Sequence, residues 1–148
     1  MVSYLFASVL AEEWDGKALH YIVDAFDIPI DTDEQDTHRY GEHTEMMLLN
    51  NLGSLSRYVK PVRSKSLDWL AVDTIIKNEF DTVFIDGDHR DPILYLELCL
   101  AENSVKHILG HDYGWGGVTK SVDRFAKQRG YKIIQPLSGR GVFELEKI

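Results

Sequence analysis

Two stretches of the sequence each end an apolar run with acidic and imidazole side chains. The first is FIDGDHR, Phe84 to Arg90, and the second is ILGHDYGW, Ile108 to Trp115. Oxygen and imidazole groups from two neighbouring loops are the ligands that a divalent cation needs. Histidine also transfers protons, because its unperturbed pKa lies near physiological pH. The residue types therefore predict a metal site or an acid-base site. A purely structural role in turns is the third interpretation that spacing alone leaves open.

The side chains that could do this chemistry are Asp86, Asp88, His89, His111 and Asp112. A further candidate is Asp24, the first of two carboxylates near the end of the β-branched and aromatic run LHYIVDAFD at residues 19–27. A carboxylate at the end of such a strand can accept hydrogen bonds from both hydroxyls of a ribose. The alternative interpretation of Asp24 is a loop carboxylate or a helix cap.

Alternating helix and strand patterns must position these groups. Apolar spacing predicts helices near 3–14, 40–53, 66–75, 92–101 and 118–130, and strands near 19–27, 59–64, 81–86, 105–110, 131–137 and 141–147. This order is typical of an α/β domain with a mostly parallel sheet, closed by a C-terminal antiparallel hairpin. In such sheets ligands bind outside the carboxyl ends of the strands, where every candidate side chain is predicted to lie.

Two helix starts can also be predicted from residue type. Asp91 followed by Pro92 is typical of a helix start, because Asp caps helices and Pro is favoured at the first helical position. Ser66 is a candidate cap for the helix at 66–75. Ser64, Lys65 and Ser66 follow a predicted strand, so we expect them at the same edge of the sheet as Asp24 and Asp86.

Composition excludes several classes of function. The chain has 148 residues, which predicts one domain spanning residues 1–148, and its net charge of -8 argues against nucleic acid or an anionic membrane as the main partner. The one cysteine, Cys99, allows no disulfide framework within the chain. The first residues lack a basic segment and are too short to span a bilayer. We therefore expect a cytoplasmic protein.

Residues 17–134 resemble the class I S-adenosylmethionine-dependent methyltransferases, most of all a small-molecule subgroup with two strand-end motifs. The motifs are IDGDH at residues 85–89 and GHDY at residues 110–113, and residues 117–125 resemble the helix that follows them in the family. YIVDAFD, at residues 21–27, resembles the strand whose terminal Asp holds the ribose of the cofactor.

The resemblance implies a Rossmann-like, three-layer methyltransferase fold that binds S-adenosylmethionine and methylates an oxygen or nitrogen of a small molecule. It places Asp24, Ser64, Lys65, Ser66 and Asp86 at the cofactor. It also implies a base among Asp86, His89 and His111. Where a magnesium ion takes part, the resemblance places it at Asp86, Asp88 and Asp112.

One departure from the family lies at the start of the sequence. Family members open with a strand and a glycine-rich loop that wraps the methionine part of the cofactor, whereas this sequence begins in the helix that follows that loop. We therefore expect the strands ending at Asp24 and Asp86 to pair directly, or a homo-oligomer to complete the sheet. The alternative function is a truncated, non-catalytic methyltransferase-like module, for binding or assembly, that does not bind the cofactor.

Overall fold

The computed structural model describes residues 8, 18–26, 45–71, 80–135 and 141–148, which form a mixed α/β structure. The chain divides into two compact units, residues 1–65 and residues 66–148. The predicted helix at 3–14 and the loop at 28–43 lie outside the described residues, apart from Ser8, which is helical. The single-domain organisation stays a prediction.

The first unit contains a pair of parallel strands. Its elements are β1 (His20–Asp24), α1 (Glu45–Leu52), a 3₁₀-helix (Gly53–Tyr58) and β2 (Val59–Arg63). β1 and β2 pair with His20 opposite Val59 and Asp24 opposite Arg63, so the two strands end at the same level. The Ser64 amide donates to the carbonyl oxygen of Asp24 at 3.0 Å. The residues after β2 therefore lie beside the end of β1, as predicted.

The second unit contains a four-stranded sheet. Its elements are α2 (Ser66–Leu70), β3 (Thr82–Ile85), α3 (Ile93–Glu102), β4 (His107–Gly110), α4 (Gly116–Arg129), β5 (Tyr131–Ile134) and β6 (Phe143–Lys147). The strand order is β3-β4-β6-β5, with β3 and β4 parallel and β6 antiparallel to both of its neighbours. The predicted strands and the C-terminal antiparallel pair are confirmed.

The core of the second unit lies between this sheet and the two longer helices. α3 contributes Leu94, Leu98 and Ala101 to it, and α4 contributes Val118, Val122, Phe125 and Ala126. On the sheet side Phe143 is 1% exposed. α4 ends where glycine predicts, since Gly130 takes a left-handed conformation and its amide donates to the Ala126 carbonyl. The apolar residues of α4 recur at helical spacing, so they lie on the one face that packs into this core.

The predicted cap of α3 is wrong. α3 begins at Ile93, one residue later than predicted, and no side chain caps it. The Asp91 carboxylate instead contacts side chains of α4. Ser66 is the first residue of α2, and its hydroxyl donates to the Glu97 carboxylate. Local sequence predicts that Asp91 and Ser66 each cap a helix. Each side chain instead bonds to a residue of another helix.

The predicted direct pairing of the strands ending at Asp24 and Asp86 does not occur among the described residues. β1 pairs with β2 in one sheet, and β3 pairs with β4 in another. Completion of the sheet by a homo-oligomer stays a prediction.

The described helices do not include one that is both long enough and apolar enough to cross a membrane.

A close approach at Gly110 gives a test of this packing. A Cβ at residue 110 would lie 2.4 Å from the buried Phe143 ring and 2.9 Å from the Ile85 carbonyl oxygen. We expect Gly110→Ala to lower the free energy of unfolding by about 1–3 kcal/mol, since neither neighbour can move without disturbing the sheet. Urea denaturation measures this change.

The matched control is Gly116→Ala, because a Cβ at residue 116 meets no atom within 4 Å. That variant should stay within about 0.5 kcal/mol of the wild type or be slightly more stable. Equal losses in the two variants would contradict the packing described around Gly110.

Candidate functional site

The site lies at the carboxyl ends of β3 and β4. Ile85 and Gly110 are opposite each other in the parallel register, so the residues that follow them, Asp86 and His111, begin two adjacent loops. The His111 amide donates to the Ile85 carbonyl oxygen at 3.1 Å, which continues the ladder past the last strand residue. The two motifs identified in the sequence therefore meet in space, as the α/β pattern predicts.

Asp86, His111 and Asp112 form a cluster that could hold a metal ion. Each offers one ligand atom, and these atoms all lie within 4.8 Å of one another. The Nδ1 atom of His111 lies 2.9 Å from Asp112 Oδ1 and 3.6 Å from Asp86 Oδ1. The imidazole thus sits between two carboxylates, where it could bind a proton or join them in binding a cation.

His89 supports this cluster from the other side of Asp112. Its Nε2 atom lies 2.7 Å from Asp112 Oδ2, so Asp112 contacts an imidazole through each of its carboxylate oxygens. The His89 ring also packs on the indole of Trp115, with ring centroids 5.1 Å apart. Trp115 is 53% exposed, so this aromatic pair presents a solvent-exposed surface beside the cluster.

The backbone at Asp112 has an uncommon conformation. Its φ is +60°, a left-handed value that Asp tolerates better than most residues. Gly141, at the start of the last strand region, packs closely against Asp112, since a Cβ there would lie 3.2 Å from the Asp112 Cα. The Tyr113 amide donates to the Gly141 carbonyl oxygen at 2.8 Å. Contact with the C-terminal hairpin therefore holds the orientation of the Asp112 side chain.

Asp88, a predicted metal ligand, lies outside the Asp86, His111 and Asp112 cluster. It pairs with Arg90, whose Nε atom lies 2.9 and 3.1 Å from its two oxygens and whose amide donates to it at 2.8 Å. Burial would raise the pKa of Asp88, but these hydrogen bonds and the guanidinium charge outweigh it and lower the pKa. Asp88 is thus an ionised carboxylate already paired with a cation, and the structure groups His111 with the other two predicted ligands.

The Asp86 carboxylate is more basic than that of Asp88. Burial raises its pKa, and the charge of Asp112 raises it further, although His111 and His89 oppose this. Its side chain is still 42% exposed, so it can meet a ligand from solvent. A shallow pocket opens there, lined by Ile85, Asp86, Gly87, Asp88, His89, Leu94, His111 and Val118. Acid and imidazole groups therefore lie beside apolar side chains in this pocket.

The residues assigned to the cofactor by resemblance divide between the two units. In the first unit, Asp24 is exposed and its Oδ1 accepts from the Phe26 amide at 2.7 Å, while the Ser64 hydroxyl donates to the Lys65 carbonyl at 3.0 Å. In the second unit, a Cβ on Gly87 would lie 3.6 Å from the Ser66 hydroxyl oxygen. Ser66 therefore lies next to the loop that carries Asp86.

Glu97 is a buried polar residue that sequence reasoning missed. It is 0% exposed; one carboxylate oxygen accepts from the Ser66 hydroxyl, and the other has no partner among the described residues. Burial raises its pKa to about 7, with Asp88 adding to the rise and Ser66 opposing it. A signal was present, because Glu97 falls at the spacing of the buried face of α3, three residues after Leu94 and one before Leu98.

A scan against models of known protein families and a search of curated proteins gave no match. The resemblance of IDGDH and GHDY to the methyltransferases therefore depends on those residues alone.

The raised pKa of Glu97 predicts a pH-dependent stability. The folded state favours the protonated carboxyl, so this stabilisation is fully present below the ordinary pKa of 4.5 and is lost as pH rises through about 7. Between pH 4.5 and about 7 we expect the ionisation of Glu97 to lower the free energy of unfolding by roughly 3 kcal/mol. Glu97→Gln should remove this part of the pH dependence, which urea denaturation at a series of pH values measures.

Glu146→Gln is the matched control, since Glu146 is exposed on β6. Its curve of stability against pH should follow that of the wild type. Parallel curves for wild type and Glu97→Gln would show that Glu97 is ionised at no cost in the fold.

Proposed function

We propose that this chain is an S-adenosylmethionine-dependent methyltransferase that acts on an oxygen or nitrogen atom of a small molecule. The observation that carries the proposal is the cluster of Asp86, His111 and Asp112, with His89 bonded to it, at the carboxyl ends of two parallel strands. This is the edge of an α/β sheet at which ligands bind. The IDGDH and GHDY motifs that resemble the methyltransferases supply these same residues.

The first unit supports the cofactor part of the proposal. Asp24 ends β1 with an exposed carboxylate, and Ser64 follows β2 beside it. One oxygen of Asp24 is used by the Phe26 amide, and the carboxylate has further lone pairs for a ribose hydroxyl. Asp24 is therefore the residue we assign to the ribose of the cofactor.

The residues of the cluster fit a divalent cation. Two carboxylates and one imidazole would supply its protein ligands, and a bound cation would polarise the acceptor oxygen and lower its pKa. Oxygen ligands suit magnesium, whereas an imidazole favours transition metals such as cobalt or zinc. Because His111 groups with the carboxylates, we propose a transition metal as the preferred ion and magnesium as the weaker one.

The side chains of the chain can also move the acceptor proton. Asp112 holds His89 by its Nε2 atom, so a tautomer with the proton on Nε2 leaves a lone pair on Nδ1 to accept a proton. Asp86 is a second candidate base, because its raised pKa makes the carboxylate more basic than usual. In both cases the chain positions the acceptor and removes its proton, and the cofactor supplies the electrophilic methyl group.

A second candidate function is a methyltransferase-like module that does not bind the cofactor. It is favoured by the strand pairing, since β1 and β3 belong to different sheets in the described part of the chain. Cofactor binding distinguishes the two functions.

The decisive experiment is titration calorimetry with S-adenosylmethionine and S-adenosylhomocysteine. We expect micromolar binding of at least one of them, and a loss of about tenfold or more in Asp24→Asn, because a neutral amide accepts the ribose hydroxyls more weakly. Asp81→Asn, which changes an exposed carboxylate paired with Lys106, should bind as the wild type does. No heat and no thermal shift at millimolar ligand would favour the module without cofactor.

Metal binding is tested separately from methyl transfer. We expect cobalt(II) to bind about tenfold tighter than magnesium in calorimetry, because His111 supplies an imidazole. Asp112→Asn should weaken cobalt binding by at least about tenfold. Tighter binding of magnesium, or unchanged binding in Asp112→Asn, would contradict the ligand set; Asp81→Asn is again the control.

A further inference from the structure

We propose that Asp91 is a positioning residue of this site. Its carboxylate anchors to helix α4 the loop that carries His89. The inference rests on the proposed role of His89 and Asp112, and it goes beyond it by assigning a function to a residue that touches neither of them in the contacts described above. Its basis is a set of contacts between residues 89–91 and the first turns of α4.

The Asp91 side chain is only 9% exposed and is bound on both oxygens. Oδ1 accepts from the Ser121 hydroxyl at 3.0 Å and from an Arg124 nitrogen at 2.8 Å, while Oδ2 lies 2.9 Å from Lys120 Nζ. The Lys120 ammonium, followed by Ser121 and Arg124, keeps the pKa of Asp91 below its ordinary value. Asp91 is therefore an ionised anchor across the working pH range.

Arg124 is itself held in place, which makes the anchor rigid. Its guanidinium carbon lies 3.8 Å from the centre of the Tyr95 ring on α3. The Tyr95 hydroxyl in turn donates to Gln128 of α4 at 2.7 Å. Stacking on an aromatic face is a geometry that the planar guanidinium favours. Asp91 thus binds Arg124, a cation held between two helices, in addition to the more exposed Lys120.

A second contact holds the same loop two residues earlier. A Cβ at Gly117 would lie 2.1 Å from the His89 carbonyl oxygen, so the backbone of α4 packs directly on the backbone at His89. Trp115, which precedes α4, packs on the His89 ring. Contacts at residues 89 and 91 fix both the position and the direction of the loop relative to α4.

This geometry determines where the His89 imidazole can reach. Its Nε2 atom meets Asp112 at 2.7 Å, a distance that leaves little tolerance for a shift of the loop. If the Asp91 contacts were removed, the contact between Gly117 and the His89 backbone would remain. The backbone after His89 could then rotate about that single contact. Groups that orient a ligand carboxylate in this way are typically worth tenfold to a hundredfold in metal affinity.

The test compares Asp91→Asn with Val122→Ala. Asp91→Asn keeps the shape and one hydrogen bond but removes the charge that Lys120 and Arg124 bind. Val122 is fully buried on the same helix, so Val122→Ala lowers stability through a cavity while leaving the anchor intact. Both are measured at a temperature at which each is fully folded by circular dichroism.

We expect cobalt affinity to fall about tenfold in Asp91→Asn and to stay at the wild-type value in Val122→Ala. The ¹⁵N resonances of the His89 ring, assigned with a His89→Gln variant, should shift in Asp91→Asn alone. Unchanged affinity and resonances in Asp91→Asn, or equal changes in Val122→Ala, would overturn the proposal. Ser121→Ala, which removes one donor, should give a smaller change in the same direction and serves if Asp91→Asn does not fold.

The ring resonances keep this test distinct from the proposed function. If the wild type binds no metal, the proposed metal site fails, yet a His89 shift confined to the Asp91 and Ser121 variants would still support the anchor. If the wild type binds cobalt and the variants match it in both readouts, the anchor fails while the metal site stands.

Discussion

The site depends on the register between β3 and β4. Because Ile85 lies opposite Gly110, both strands end at one level, and the residues after them are neighbours although they are far apart in the sequence. A slip of one residue would send the side chains of β4 to the other face of the sheet and would misalign its end with that of β3. Gly110 helps to fix this register, since the Phe143 ring and the Ile85 carbonyl leave no room for a side chain there.

Local pattern predicted the strands, because an apolar run bounded by polar residues is visible within a short stretch of sequence. It predicted their ends less exactly, since the run at 19–27 is a strand only over His20–Asp24. It placed Asp86, His111 and Asp112 at one edge, and the structure brings them together. The partners of individual side chains are a different matter, since tertiary contacts decide them. Asp88 carries the same chemical group as Asp86 but is engaged by Arg90, and Asp91 binds α4 when local sequence favours a cap.

The two units put different constraints on the candidate residues. In the first, Asp24 and Ser64 lie at the ends of a parallel pair, with a buried contact between Leu52 and Val59 beneath it. In the second, α3 and α4 cover the sheet and also carry the polar groups that hold the loop after β3. The same helix thus packs the core with Val122 and binds Asp91 with Ser121, one residue away.

The contact of Gly141 with Asp112 has a consequence for the order of assembly. The cluster residues all precede residue 113, but the backbone that orients Asp112 is held by a hairpin that follows in the chain. During synthesis, strands β3 and β4 are therefore complete before the site can take its final form. Until β6 pairs with β4, the edge of β4 is also without its antiparallel neighbour. Formation of the site thus waits for a long-range pairing, which closes more slowly than local structure.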